Sequence, residues 1–251
     1  STYAQQGATL TSAGTVTMTG NGLANQYTVN AAGDISAAGA TVQSVQDLSM
    51  TAGGSLAIGA AQSGGSVNLT AGGDLSAGSI ATGNNLTLTT TGKTGNGDLN
   101  VGGAVSAPGA VTLNAARDIT VNGSVTGGSA VGINAERNAA INGQAASGGT
   151  LSLSGATGTV STAGDVLANG DLSATAGQTM TLGGNVSTSG NTTLAAATDL
   201  TVSGSVSGNG TGSLRAGRNL SGSGTASFGQ DETLNAGQSR QHAHDQYAAA
   251  Q

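Results

Sequence analysis

The chain has 251 residues, 45 of them glycine and one proline, with 7% charged, 2% aromatic, no cysteine and no tryptophan. A net charge of −6 with only six Lys and Arg excludes the clustered basic surface that nucleic acid requires. Missing cysteine excludes disulfides and thiolate metal centres. At 36% hydrophobic residues, the chain is too apolar for a disordered Gly/Ser segment, yet no apolar run approaches the length of a membrane-spanning helix.

The thin supply of aliphatics is periodic. A first unit opens at Ala8, and others open at residues 27, 48, 67, 86, 111, 131, 151, 172, 192, 212 and 232. The frame is anchored by VTLNAARDITVNGSV at Val111, which aligns without gaps on the segments opening at Leu172 and Thr192. Along the chain, the third position reads Leu10, Val29, Met50, Leu69, Leu88, Leu113, Ile133, Leu153, Ala174, Leu194, Leu214 and Leu234. Position five is mostly alanine, from Ala31 and Ala52 to Ala216 and Ala236. Two residues apart, both positions face the same side of a strand, while the Thr, Asn or Ser usually found between them faces water.

A second strand follows in each unit, with Ile35, Leu56, Leu75, Ile119, Met180, Leu200 and Leu220 at its first inward place. Ile58, Val121, Ile141, Leu182 and Val202 stand two residues on. Just before it come Asp34, Asp74, Asp98, Asp118, Asn138, Asp199 and Asn219, residues that bond the local backbone at turns. Pairs such as Gly53-Gly54, Gly72-Gly73 and Gly127-Gly128 are expected to supply positive φ at other bends. Glycine and β-branched residues dominate, so helices are not expected. Period two within strands and about twenty between them predicts an all-β chain, a right-handed parallel β-helix (β-solenoid) of about twelve rungs and roughly 55–60 Å.

Two places break the pattern. The unit opening at Leu86 carries extra residues around Thr91–Gly97, expected as a protruding loop. Near the C-terminus Arg240 and His242 stand where aliphatics belong, which predicts one repeat domain over 1–237 and an irregular tail or cap over 238–251. The repeat is already under way by Ala8, which reads as a piece of something longer.

Candidate chemistry is sparse. Gly92-Lys93-Thr94 has the ending of a phosphate-binding loop, but Thr87 stands where that motif needs glycine and a strand is expected to follow rather than a helix. Asp74, Asp98 and Asp118 share a column, giving either a weak Ca²⁺ site or a turn ladder. His242, His244 and Asp245 are a candidate metal cluster or a solvated tail. Thr17-Met18-Thr19 and Thr87-Leu88-Thr89 have an ice-binding pattern but fall in different columns, so no ladder is expected from them. Both histidines lie near the C-terminus, which leaves no Ser-His-Asp arrangement. No catalytic, cofactor or metal residue is assigned.

The run AAGDIS…LSMTAGGSLAI…VNLTAGGDLSAG (from Ala31 to Gly78), together with AGRNLS at Ala216–Ser221, resembles the haemagglutinin repeats of filamentous haemagglutinin-type exoproteins. These bacterial surface proteins, exported by two-partner secretion, include adhesins and contact-dependent growth-inhibition toxins. The resemblance covers about Ala8 to Gly237. It implies a secreted or cell-surface location, an outer-membrane secretion partner, and a shaft that extends a binding or effector region from the cell. The NPNG- or NPNL-like motifs of that family's secretion domain are absent, so an internal shaft segment is expected. A binding module whose face or Lys93 loop engages a host or neighbouring-cell receptor or a glycan is the alternative. A polysaccharide-acting enzyme ranks third, because its acids would have to cluster in a loop-built cleft.

Overall fold

A computed structural model describes residues 2–4 and 6–242, with side chains over 6–238. Every described element is a strand and every pairing between them is parallel. The chain is a β-solenoid.

One sheet holds twelve strands, from Ala8–Ser12, Tyr27–Ala31 and Leu48–Ala52 to Gly212–Ala216 and Glu232–Ala236. Their register joins Leu10, Val29, Met50, Leu69, Leu88, Leu113, Ile133, Leu153, Ala174, Leu194, Leu214 and Leu234 in one column. The frame read from the repeat is therefore the pairing register. Leu113 and Ile133 are fully buried and Leu153 is 1% exposed. Position one is inward as well: Tyr27, Leu48, Val67, Leu86, Val111 and Leu172 are buried, a third apolar column on this strand. The steps between twelve strands, at about 4.8 Å each, make a rod of roughly 53 Å.

Each turn whose residues are all described has three strands rather than the two expected. After the second strand comes a short third one carrying Val105, Val125, Ala145, Val166, Val186 and Val206 in register, all buried. The signal was present in the recurring Val that follows NGS, GGN and SGS (Val125, Val186, Val206). A single valine inside a three-residue strand is too short a pattern to separate from a turn. In three early turns the second and third strands run together as Ile35–Ser44, Leu56–Ser63 and Leu75–Thr82, which merges them into one 21-stranded sheet. A single rung cannot bury these side chains by itself; stacking buries them into one continuous apolar core.

The glycine expectation needs correction. Among the described glycines only Gly92 and Gly97 have positive φ. Gly72 is required by vertical crowding, since a Cβ there would lie 1.9 Å from the Gly53 carbonyl oxygen of the rung before. Gly54 is required by its neighbour's chemistry, since its Cβ would lie 2.0 Å from Asp34 Oδ1. Rungs stacked at strand spacing leave no room for side chains pointing along the axis.

The backbone ladder also runs past the boundary expected at residue 237. Ser239–His242 pairs in parallel with Asn219–Gly222, which sets Arg240 against Leu220. The remainder of the expected tail lies outside the described residues.

Candidate functional site

The polar residues that stand out in the sequence gather at the corners. A strand's N–H and C=O groups pair with the adjacent rungs, but at a bend the N–H of the turn residue needs another acceptor. The Asx side chain one rung earlier supplies it. Asp34 Oδ1 accepts the Ser55 N–H (2.7 Å) and Asp74 Oδ1 accepts the Asp98 N–H (3.0 Å). Asp118 accepts from Asn138 N–H (3.1 Å), and Asn138 from Thr159 N–H (2.9 Å). The corner before the third strand works the same way, with Asp165 accepting from Asn185 (2.8 Å) and Asn185 from Ser205 (3.0 Å). At the remaining corner Asp171 accepts from Asn191 (2.7 Å) and Asn191 from Thr211 (2.9 Å).

Three arginines then reach back nineteen positions onto these acids. Arg117 pairs bidentately with Asp98, Arg137 with Asp118, and Arg218 with Asp199. Arg117 Nε also lies 3.7 Å from Asp118 Oδ2, so Asp98, Arg117, Asp118 and Arg137 form one chain of alternating charge along the axis. Its electrostatics follow. The Arg137 guanidinium holds the Asp118 carboxyl below its ordinary range, and the Arg218 guanidinium holds Asp199 down at about 2. Asp98 raises Arg117 in return. The arginines did not figure in the sequence reading. Their signal is the dipeptide Arg-Asp or Arg-Asn (Arg117-Asp118, Arg137-Asn138, Arg218-Asn219), which puts an arginine beside each corner residue and within reach of the acid below.

The line of Asp74, Asp98 and Asp118 is thus a turn ladder: Asp74 Oδ1 accepts a backbone N–H, and Asp98 and Asp118 accept both backbone N–H groups and arginines. Among the described residues no three His, Asp or Glu side chains gather so as to hold a metal. The side chain of His242, and His244 and Asp245 altogether, lie outside the described residues.

The inserted loop does not protrude as expected. It closes at its base through Gly92 (φ 65°) and Gly97 (φ 76°), where any Cβ would meet the Ala116 methyl at 3.0 and 2.8 Å. From there it folds back along the corner. Thr94 N–H donates to the Gly72 carbonyl (3.2 Å), and Thr94 Oγ1 donates to the Gly53 carbonyl two rungs away (2.9 Å). Strand Leu99–Val101 follows, so Gly92-Lys93-Thr94 does not open a helix and lacks the phosphate cradle of a nucleotide loop. Lys93 is exposed at the bend and is the chain's one lysine.

The outward side of the twelve-stranded sheet is a second regular feature. Thr87 and Thr89 stand in register with Asn68 and Thr70, with Ser49 and Thr51, and with Thr112 and Asn114. Thr9 and Thr11 head the same two columns, with Thr28 and Asn30 next. These columns are polar without stacking the Thr-x-Thr pattern, which recurs in them only at Thr9/Thr11 and Thr87/Thr89, and they are interrupted later by Gly132, Ala195 and Arg215.

A parallel three-strand solenoid with Asx corners, arginine staples and short loops defines a class: an elongated repeat scaffold. The family matching this chain agrees. The haemagglutinin repeat matches residues 1–38, 24–93, 76–98, 81–155, 137–204 and 199–251, and the chain belongs to that family. No curated protein and no solved structure matches it.

Proposed function

We propose that this chain is a shaft segment of a large secreted or cell-surface filamentous adhesin-type protein. It holds a binding or effector region away from the cell and contributes length and stiffness rather than catalysis. The observation carrying this reading is the unbroken column from Leu10 to Leu234 in one parallel register. A rigid rod built of identical steps transmits position along its axis. Membership of the haemagglutinin repeat family supports the surface setting, and with it export through an outer-membrane secretion partner. A receptor on a host or neighbouring cell would then meet whatever the shaft carries.

Small-angle scattering and electron microscopy of the purified chain test the mechanical half. A straight rod of about 53 Å along the stacked rungs, unchanged in length between low and high salt, is expected. A compact or salt-collapsed particle would refute it. Secretion is tested by co-expressing the parent protein with and without its outer-membrane partner and assaying surface exposure of Lys93 with an impermeant amine reagent. Labelling that does not depend on the partner would count against the export route.

A further inference from the structure

Folding buries the large aliphatics of this chain almost everywhere. Among the described residues the large hydrophobic side chains left exposed are Leu23 (37%) and Val45 (66%). Both line one groove of about 410 Å³, which runs along the axis over the third strands of four successive rungs. Two exposed aliphatics gathered in one groove, on a surface otherwise built of small and polar residues, mark an interaction surface.

The pairing register gives the groove an order. Along its outward column Leu23 pairs with Gln43, Gln43 with Gln62, and Gln62 with Ala81. Over about 14 Å of axis the column therefore reads large aliphatic, amide, amide, methyl. The corner beside it follows the same trend. Val45, Gly64 and Gly83 come directly after the paired residues Ser44, Ser63 and Thr82, so a knob is followed by an open slot. The slot is enforced, because a Cβ on Gly64 would run into the Val45 carbonyl oxygen, and one on Gly83 into that of Gly64.

Such an order complements itself when inverted. A second copy laid face to face and antiparallel, about a two-fold axis between the rungs of Gln43 and Gln62, sets Leu23 opposite Ala81 and Val45 opposite Gly64. Each large side chain then meets a small one. The same axis sets Gln43 opposite Gln62. Within one chain Gln43 Nε2 donates to Gln62 Oε1 (2.6 Å), which leaves Gln43 Oε1 to accept and Gln62 Nε2 to donate across the axis. No charged side chain lines the groove. That matters at a two-fold contact, where a charge near the axis would meet its own copy. We propose that this groove is a self-association surface, pairing two copies of the chain side by side and antiparallel through Leu23, Val45, Gln43 and Gln62. The contact is independent of the shaft reading, since a rod that stays single remains a rod. A patch this short falls below the ~1,600 Å² of a standard interface, so the pair is weak. A net charge of −6 on each chain makes it tighter as salt rises.

Sedimentation equilibrium of the intact chain from about 10 μM to about 1 mM, at low and high salt, tests the pairing. Expected is a reversible dimer, favoured by salt. Val45→Asp should raise its Kd about ten-fold or more, and so should Leu23→Ser. Thr193→Asp, which adds the same charge to the exposed outward side of the other sheet, should leave it unchanged. Each variant is checked for an unchanged melting curve; if Val45→Asp fails to fold, Leu23→Ser carries the test. Orientation is read by disulfide trapping, because the chain has no cysteine of its own. A mixture of Leu23→Cys and Ala81→Cys chains should cross-link faster than Leu23→Cys with Thr193→Cys, and faster than Leu23→Cys with itself. A monomer throughout the range, a dimer that survives both groove variants, or Leu23→Cys preferring its own copy would overturn the proposal.

Discussion

Replacing Gly72 tests why the corners are glycine. An added Cβ would lie 1.9 Å from the Gly53 carbonyl oxygen, where contact needs at least 3.0 Å. The two rungs must then part locally by ~1 Å. The bonds that hold them there are Gly72 N–H to the Ala52 carbonyl and Gly73 N–H to the Gly54 carbonyl, both 2.9 Å. Losing two such bonds costs about 1 kcal/mol each, and overpacking adds about 1–3 kcal/mol. Gly72→Ala is expected to destabilise the chain by about 3–5 kcal/mol. Gly72→Asn is decisive, because asparagine tolerates positive φ but carries the same Cβ, so it should be no better than alanine. Gly132→Ala should have the opposite sign. Its Cβ meets nothing but Asn134 Nδ2, at 4.0 Å, so the stiffer unfolded chain stabilises it by about 0.4–1 kcal/mol. Urea unfolding followed by circular dichroism, with amide exchange at residues 72 and 73, measures all three. If Gly72→Asn matches the parent, or clearly exceeds Gly72→Ala, the crowding argument is wrong and backbone conformation decides these corners.

Two further outcomes follow from the stacking. Asp199, held at about 2 by Arg218 against an ordinary 3.8, is depressed by folding, so its contribution is present above about pH 4. That contribution should fade as the pH falls from about 4 through about 2, and Asp199→Asn should flatten this part of a melting-temperature profile, while an unchanged profile would show that the Arg218 pair does not couple to folding. Deleting residues 111–150 removes two whole rungs and brings Leu151 into the slot of Val111. The product should fold into a rod about 10 Å shorter, whereas deleting 111–120 alone should break the register and unfold the neighbouring rungs, as amide exchange would show.

The periodic aliphatics were enough to determine the class of fold, the register of the twelve-stranded sheet and the corner role of Asp34, Asp74 and Asp118. Inward positions every second residue, repeated about every twenty, admit one way to bury so few large side chains. The third strand was not legible, because a lone valine between turns carries no periodicity of its own. The reach of Arg117, Arg137 and Arg218 onto acids nineteen residues earlier depended on the vertical offset between rungs, a distance that linear spacing does not contain. Nor could the sequence tell a glycine needed for positive φ, such as Gly92, from one crowded by the rung beneath, such as Gly72; both are simply glycine until a carbonyl oxygen is placed 1.9 Å from the missing Cβ. The narrowing of the corner between the second and third strands, from residues 38–40 in one rung to Gly59 alone in the next, is of the same kind. It arises from how many residues each rung spends at one corner, and only the stacked backbone sets those counts against each other.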